Sequence, residues 1–286
     1  MMELIKQARA AVILLNPVEV RKRARRPVRF GLVASGGAGY AAMEEFLLPA
    51  AMAEHLRTGL QGSLYRVGDA GAPDRVDLVL YEHGIAHDHQ SYSFRRHDND
   101  TLVQEILDDH DDLALPLARH YPAFRKPVVD RIVQTISREN ALFAIATALP
   151  NIVPSMVELP WAFGEFASDT AFLTGNQIRM AFHIAAACGK EAGFSTQIGQ
   201  VLSIVGGAFG WRALARELVG KIPLGGGLIP KGAIAYAGTY LVGKSLEYYH
   251  HANVPYTPEQ REEVYREALE RGREVAESLH ADQAQS

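Results

Sequence analysis

Charge is segregated along this 286-residue chain, and that segregation limits its possible folds more than any single motif. No charged residue occurs from Ala141 to Val157 or from Ala192 to Trp211, and Lys231 is the one charge from Ile222 to Gly243. A helix that crosses a bilayer needs about 20 largely apolar residues, so the last two stretches are long enough for one. Neither is a clean span. Ser195, Thr196, Gln197, Gln200 and Ser203 make the first too polar, and Gly225, Gly226, Gly227 and Pro230 divide the second. Buried core helices of a soluble domain and a helical hairpin inserted in or resting on a bilayer both fit this pattern. Averages conceal the segregation: 48% hydrophobic residues, 22% charged residues and a mean hydropathy of −0.06 describe an ordinary folded chain.

The flanks are charged. Arg21, Lys22, Arg23, Arg25, Arg26 and Arg29 form a basic run, preceded by Leu4, Ile5, Ala8, Ala11, Val12 and Leu15 at helical spacing. That spacing predicts a short amphipathic helix over 3–15, ended by Asn16-Pro17. A docked helix followed by a solvated basic linker is one reading. An interfacial anchor with arginines on anionic headgroups is the other. Glu3 and the short apolar stretch argue against a signal peptide. The single Cys188 excludes a disulfide framework and a cysteine-based metal site, points to a reducing compartment, and reads as a packed residue. A net charge of −4 gives no general nucleic-acid footprint.

Residues 27 to about 125 read as a small α/β region. The run Val28 to Ala34 is a buried-strand pattern that ends at Ser35-Gly36-Gly37-Ala38-Gly39 and passes into a helical pattern containing Met43, Phe46 and Leu47. Strand, glycine-rich turn and helix in that order can hold a phosphate on backbone N–H groups and the helix N-terminus. Gly31, Gly36, Gly37 and Gly39 are therefore the candidate cofactor-binding residues. The chemistry is incomplete: aligned on the P-loop pattern from Gly31, the lysine position is Gly37 and the Mg²⁺-binding hydroxyl position is Ala38. Read instead as a dinucleotide turn, Gly37 to Ala42 fits G-x-G-x-x-A. A strand-to-helix turn that needs glycine for its backbone angles is the simpler alternative. Further strands are expected at 63–67 and 76–82, with Glu82 able to supply a Walker-B-like acid. No guanine-reading motif follows.

His83, His87 and His89 are weak candidate metal ligands, since imidazoles so spaced could gather around a transition metal. Such residues also make up any exposed polar loop, and no strand or helix register is evident there to fix ligand geometry. A helix begins at 101–107, and Pro116, Pro122 and Pro127 suggest a linker.

In the apolar half, a helix over about 166–188 places Asp169, Asn176 and His183 seven residues apart on one side, with Gln177 beside them. Burial of such groups demands partners from another helix or from Lys231. An interhelical ladder that fixes register and a surface for a partner domain are the two readings. At the carboxy-terminal end, Thr257, Pro258 and Gln260 spell a capping box, with Val264, Ala268, Val275 and Leu279 behind it and a frayed tail over 281–286.

Several strings together resemble a known family. Ala148-Leu149-Pro150-Asn151-Ile152-Val153-Pro154, Asp169 with Leu173-Thr174 and Asn176-Gln177, Ala185-Ala186-Ala187-Cys188-Gly189, Arg216-Glu217-Leu218 with Lys221-Ile222-Pro223, and Lys231 through Thr239 are similar to the helical domain of unknown function 697 over about 131–270. That domain follows Era-like GTPase domains or belongs to inner-membrane proteins of the YcjF type. The resemblance implies a membrane-associated accessory helical domain with no established catalytic residues. Cys188 stands where an aromatic is expected, and the usual GTPase domain is represented here only by the short α/β unit.

The expected architecture is α+β/α: a small degenerate P-loop/Rossmann-like α/β unit followed by a mainly α-helical apolar domain. Its expected segments are 1–26, 27–127, 128–255 and 256–286. The expected function is that of a bacterial, non-enzymatic accessory or scaffold protein acting by protein or lipid contacts. A noncanonical nucleotide-binding, GTPase-like protein and a wholly soluble helical scaffold are the alternatives. Expected partners are membrane lipid or a membrane or GTPase partner protein, with a homo-oligomer open and no nucleic acid. No cofactor is expected beyond a nucleotide at the glycine-rich turn. The expected location is the cytoplasmic side of the inner membrane, peripheral or inserted, or the cytoplasm.

Overall fold

The computed structural model of the protein describes residues 17–85, 91–97, 99–147, 169–193, 199 and 228–284. It is a mixed α/β structure, mostly helical, with one small parallel sheet. The chain divides into two compact units, Glu19–Asp130 with Ala186–Lys190, and Arg131–Ala185 with Glu191–Ser286 and Met1–Val18.

In the first unit the elements run α1 (Pro17–Ala24), β1 (Phe30–Val33), α2 (Gly37–Leu47), α3 (Glu54–Gln61), β2 (Leu64–Arg66), β3 (Leu78–Glu82), β4 (Tyr92–Phe94), α4 (Asp100–Asp109), α5 (Asp111–His120) and the start of α6 (Pro122–Ala146). The four strands are all parallel in the order β2-β1-β3-β4. Doubly wound sheets of the flavodoxin-like kind begin with this order. β1 is central because its apolar run can be covered on both faces. Phe30 and Leu32 are buried, and Phe30 stands opposite both Leu64 and Leu78. Phe30 also meets Tyr121 edge-on at 4.9 Å and Phe124 at 6.4 Å, while Phe46 links Phe94 and Phe124. Each such pair adds about 0.5–1.5 kcal/mol beyond its burial. The buried Tyr121 hydroxyl donates to the carbonyl of Val28 at 2.7 Å, fixing α5 to the entry of β1.

Two expectations are corrected here. The proline-marked segment is helical rather than a linker, with Pro122 opening α6 and Pro116 and Pro127 inside α5 and α6. Burial of Leu113, Leu115, Pro116 and Leu117 on one side, and of Phe124, Val128 and Val129 on the other, outweighs the lost backbone bonds. The polar stretch after β3 also does contain a strand: Tyr92 and Phe94 of β4 point inward around Ser93. Within the basic run, Val20 and Ala24 are buried in α1, and Arg26 pairs with Asp112 at 2.8 Å and Asp77 at 3.3 Å. Residues 1–16, with the amphipathic pattern, lie outside the described residues.

The second unit is helical: the rest of α6, α7 (Asp169–Ala187), α8 (Leu228–Ala252) and α9 (Pro258–Ala284). α8 packs along α9 through Ala233, Ala237, Leu241, Tyr265, Ala268 and Leu269. Small residues allow the close approach. A Cβ on Gly272 would lie 2.8 Å from the carbonyl oxygen of Ala233, and one on Gly243 would lie 2.6 Å from a methyl of Val133 on α6. The capping box forms as read: the amide of Thr257 donates to Gln260 Oε1 at 2.9 Å, and the amide of Gln260 donates to Thr257 Oγ1 at 3.3 Å. α9 continues to Ala284, so the helix runs through most of the stretch expected to be a frayed tail.

Among the described residues, no helix is long and apolar enough to cross a membrane. The expected polar-interrupted stretch over 192–211 lies outside the described residues except for Ala192, Gly193 and Gly199, as do the strings at 148–154 and 216–223.

Candidate functional site

The glycine-rich turn is shorter than its sequence suggests. β1 ends at Val33, Ser35 and Gly36 make the turn, and α2 begins at Gly37, with the amides of Gly39 and Tyr40 donating to the carbonyl of Gly36 at 3.0 and 3.3 Å. Gly37, Ala38 and Gly39 are therefore the first turn of a helix. The N-terminus of a helix carries partial positive charge and favours a carboxylate or phosphate nearby.

A carboxylate is already there. β3 lies beside β1 with Tyr81 opposite Val33, so the next residue, Glu82, reaches the turn at the end of β1. Its Oε2 accepts from the Ser35 amide at 2.9 Å and from the Ser35 hydroxyl at 2.6 Å. Its Oε1 faces the Arg96 guanidinium at 3.8 Å. The hydroxyl of Ser35 and then its amide hold the Glu82 carboxyl below the usual carboxylate range against the opposing effect of burial, with Arg96 adding the smallest contribution. Gly39 is the residue that lets Glu82 in. A Cβ there would lie 2.6 Å from Glu82 Oε2, 2.7 Å from its Cδ and 2.8 Å from the Ala34 methyl. Glu82 was expected as an acid at a strand end; its bond to Ser35 and its contact with Gly39 depend on a strand pairing that no local motif announces.

The other glycines differ in role. Gly31 lies inside β1, where a Cβ would approach methyls of Val67 and Val76 at 3.0 and 3.1 Å, so internal packing explains it. A Cβ on Gly36 or Gly37 would meet nothing within 4 Å. His83 donates its amide to the carbonyl of Phe94 and sets Nδ1 3.3 Å from the Ser93 hydroxyl, while His87 and His89 lie outside the described residues. Among the described residues, no group of three or more His, Cys, Asp or Glu side chains is placed to hold a metal.

In the second unit, Asn176 is fully buried and donates to Asn140 Oδ1 on α6 at 2.8 Å. Asn140 in turn donates to Thr239 Oγ1 on α8 at 2.8 Å. Three helices are thus joined through one chain of buried polar groups, of which Asn176 alone belongs to the expected polar line. Gln177 is also buried, and Arg179 of α7 pairs with Glu139 of α6. His183 is partly exposed and Lys231 is exposed in the first turn of α8. Asp169 opens α7, but its side chain lies outside the described residues. Asn140 and Thr239 were not singled out from the sequence. Their signal is a polar residue within an otherwise apolar helical face, which becomes legible only once the facing helix is known. Cys188 is partly exposed, in the turn that ends α7 at Gly189.

No family model, curated protein or solved structure matches the chain.

Proposed function

We propose that the protein is a non-enzymatic accessory or scaffold protein that acts by protein or lipid contacts, with an α/β unit that has the outline of a nucleotide fold but not its chemistry. The observation that carries this reading is Glu82. Its carboxylate takes the amide and hydroxyl of Ser35 at the very turn where a P-loop or dinucleotide fold receives a phosphate. A phosphate approaching that turn meets a negative charge, with no lysine at Gly37 to offset it. The strand order and the strand-turn-helix sequence support a doubly wound ancestry, and the missing lysine supports loss of nucleotide binding.

Membrane association, and membership in the helical family resembling domain of unknown function 697, rest on the strings quoted above and on the segregated apolar segments. The exposed Lys22, Arg23 and Arg25 in and just after α1 support attraction to anionic headgroups. Pelleting the purified chain with phosphatidylserine-containing and neutral vesicles tests this part. Salt-sensitive binding to the anionic vesicles is expected; a protein left wholly in the supernatant at low salt overturns the membrane reading and leaves the soluble scaffold.

One observation favours a second reading, noncanonical nucleotide binding. The open space beside Gly36 and Gly37 leaves their backbone accessible to a ligand. On that reading a nucleotide would have to displace Glu82 from Ser35, so binding would tighten when Glu82 is replaced by alanine.

A further inference from the structure

A cavity of about 280 Å³ lies at the carboxyl ends of β1 and β2, apart from the Ser35–Glu82 contact. Leu32 and Leu64 give it an apolar base, and Glu44, Arg66 and Asp69 supply its charges. It is shaped by fixed backbone. The amide of Val67 donates to the carbonyl of Leu32, the amide of Asp69 to that of Arg66 at 3.2 Å, and the amide of Ala72 to that of Asp69 at 3.0 Å. Gly68 and Gly71 adopt φ of +94° and +96°, which side-chain-bearing residues rarely do, so the loop over 68–72 is built to fold back sharply.

Arg66 is paired with Glu44, while Asp69 lines the same cavity outside that pair. The Arg66 guanidinium lies over the Tyr40 ring, 4.6 Å from its centroid, and among the described residues one contact to Glu44, at 3.4 Å, uses its five N–H donors. The carboxylate of Asp69 has no partner among the described residues. The backbone turns tightly from Arg66 to Asp69, and both residues line the cavity. Pockets for drug-sized ligands run from about 300 to 1,000 Å³, so this one takes a smaller metabolite. Two carboxylates against one guanidinium repel a phosphate ester, and a plain amine leaves Arg66 unused. A ligand with one carboxylate and one ammonium matches both ends.

We propose that this cavity binds a small α-amino acid or similar zwitterion, its carboxylate on Arg66 and its ammonium on Asp69, over the apolar base of Leu32 and Leu64. The ligand class gives the α/β unit a small-molecule input that does not depend on the glycine-rich turn.

Isothermal titration calorimetry on the full chain tests this, with each common α-amino acid in turn and with AMP and putrescine as phosphate-ester and diamine probes. Saturable binding of at least one amino acid is expected, weakened about tenfold or more in both Arg66→Gln and Asp69→Asn, since each loses a charge-assisted contact. Ala70→Trp, which fills the cavity mouth while keeping both charges, should abolish it. Circular dichroism verifies that each variant is folded, and if one of them is not, the remaining variants decide. Absence of heat with every amino acid overturns the proposal. So does binding of AMP or putrescine alone, or amino-acid binding that all folded variants retain.

Discussion

Glu82 and Ser35 are joined twice, the carboxylate oxygen Oε2 taking both the amide and the hydroxyl of the serine at 2.9 and 2.6 Å. The two residues stand at the ends of neighbouring parallel strands, where a doubly wound sheet usually receives its ligand. In this protein a carboxylate from β3 stands at the end of β1. The helix that follows has no side-chain cap at Gly36, and the carboxylate that meets the turn ahead of it comes from 47 residues away in sequence.

The Glu82 contact makes a prediction about acid. Its folded carboxyl lies below the ordinary value of 4.5, so the contact contributes stability fully above that value and loses it as pH falls through the lower, folded value. The Ser35 amide resonance should therefore titrate with a midpoint below 4.5 in wild type and show no such transition in Glu82→Gln. A midpoint at or above 4.5 contradicts the contact.

Gly39→Ala should displace Glu82. The new methyl would stand 2.6 Å from Oε2, and overpacking of this kind costs about 1–3 kcal/mol. In denaturant unfolding, the loss should be smaller on a Glu82→Ala background, which removes the two closest contacts and leaves the 2.8 Å approach to Ala34. Equal losses on both backgrounds would show that Glu82 does not press against Gly39.

Asn140 is the central member of the buried chain in the second unit, bonded to both Asn176 and Thr239. Asn140→Ala strands a donor on Asn176 and the hydroxyl of Thr239 in the interior. Each group left unsatisfied costs about 1–3 kcal/mol, so urea unfolding should show a clear fall in stability. Thr239→Val, which strands only one donor of Asn140, should cost less.

Thr257→Ala removes the side-chain half of the capping box at the exposed start of α9. About 1 kcal/mol of stability should be lost, and Thr257→Ser should restore most of it. Calorimetric or chemical unfolding of the three proteins checks the order.

The parts of this structure that were legible in the sequence are those fixed by neighbours in the chain. The apolar run around Phe30 and Leu32 announces β1, and Thr257 with Gln260 announces the start of α9 because both partners lie within one helical turn. β4 was missed because it has three residues and sits in a polar stretch, so periodicity has almost nothing to act on. Pro116 and Pro127 signalled a break, yet buried leucines, valines and Phe124 hold both helices together around them. The site was half legible: the glycine-rich turn could be placed, but its occupant could not. Glu82 and Ser35 become neighbours only through the β1–β3 pairing, just as Asn176 and Asn140, 36 residues apart, meet only when α6 and α7 pack.

The most direct test of the closed turn is thermal unfolding of the full chain with GTP, ATP or NAD, each with Mg²⁺. With Glu82 on Ser35 and no lysine at Gly37, none should move the midpoint. A saturable upward shift corresponding to about 2.7 kcal/mol at ligand a hundredfold above its dissociation constant would contradict the account and restore the nucleotide-binding reading.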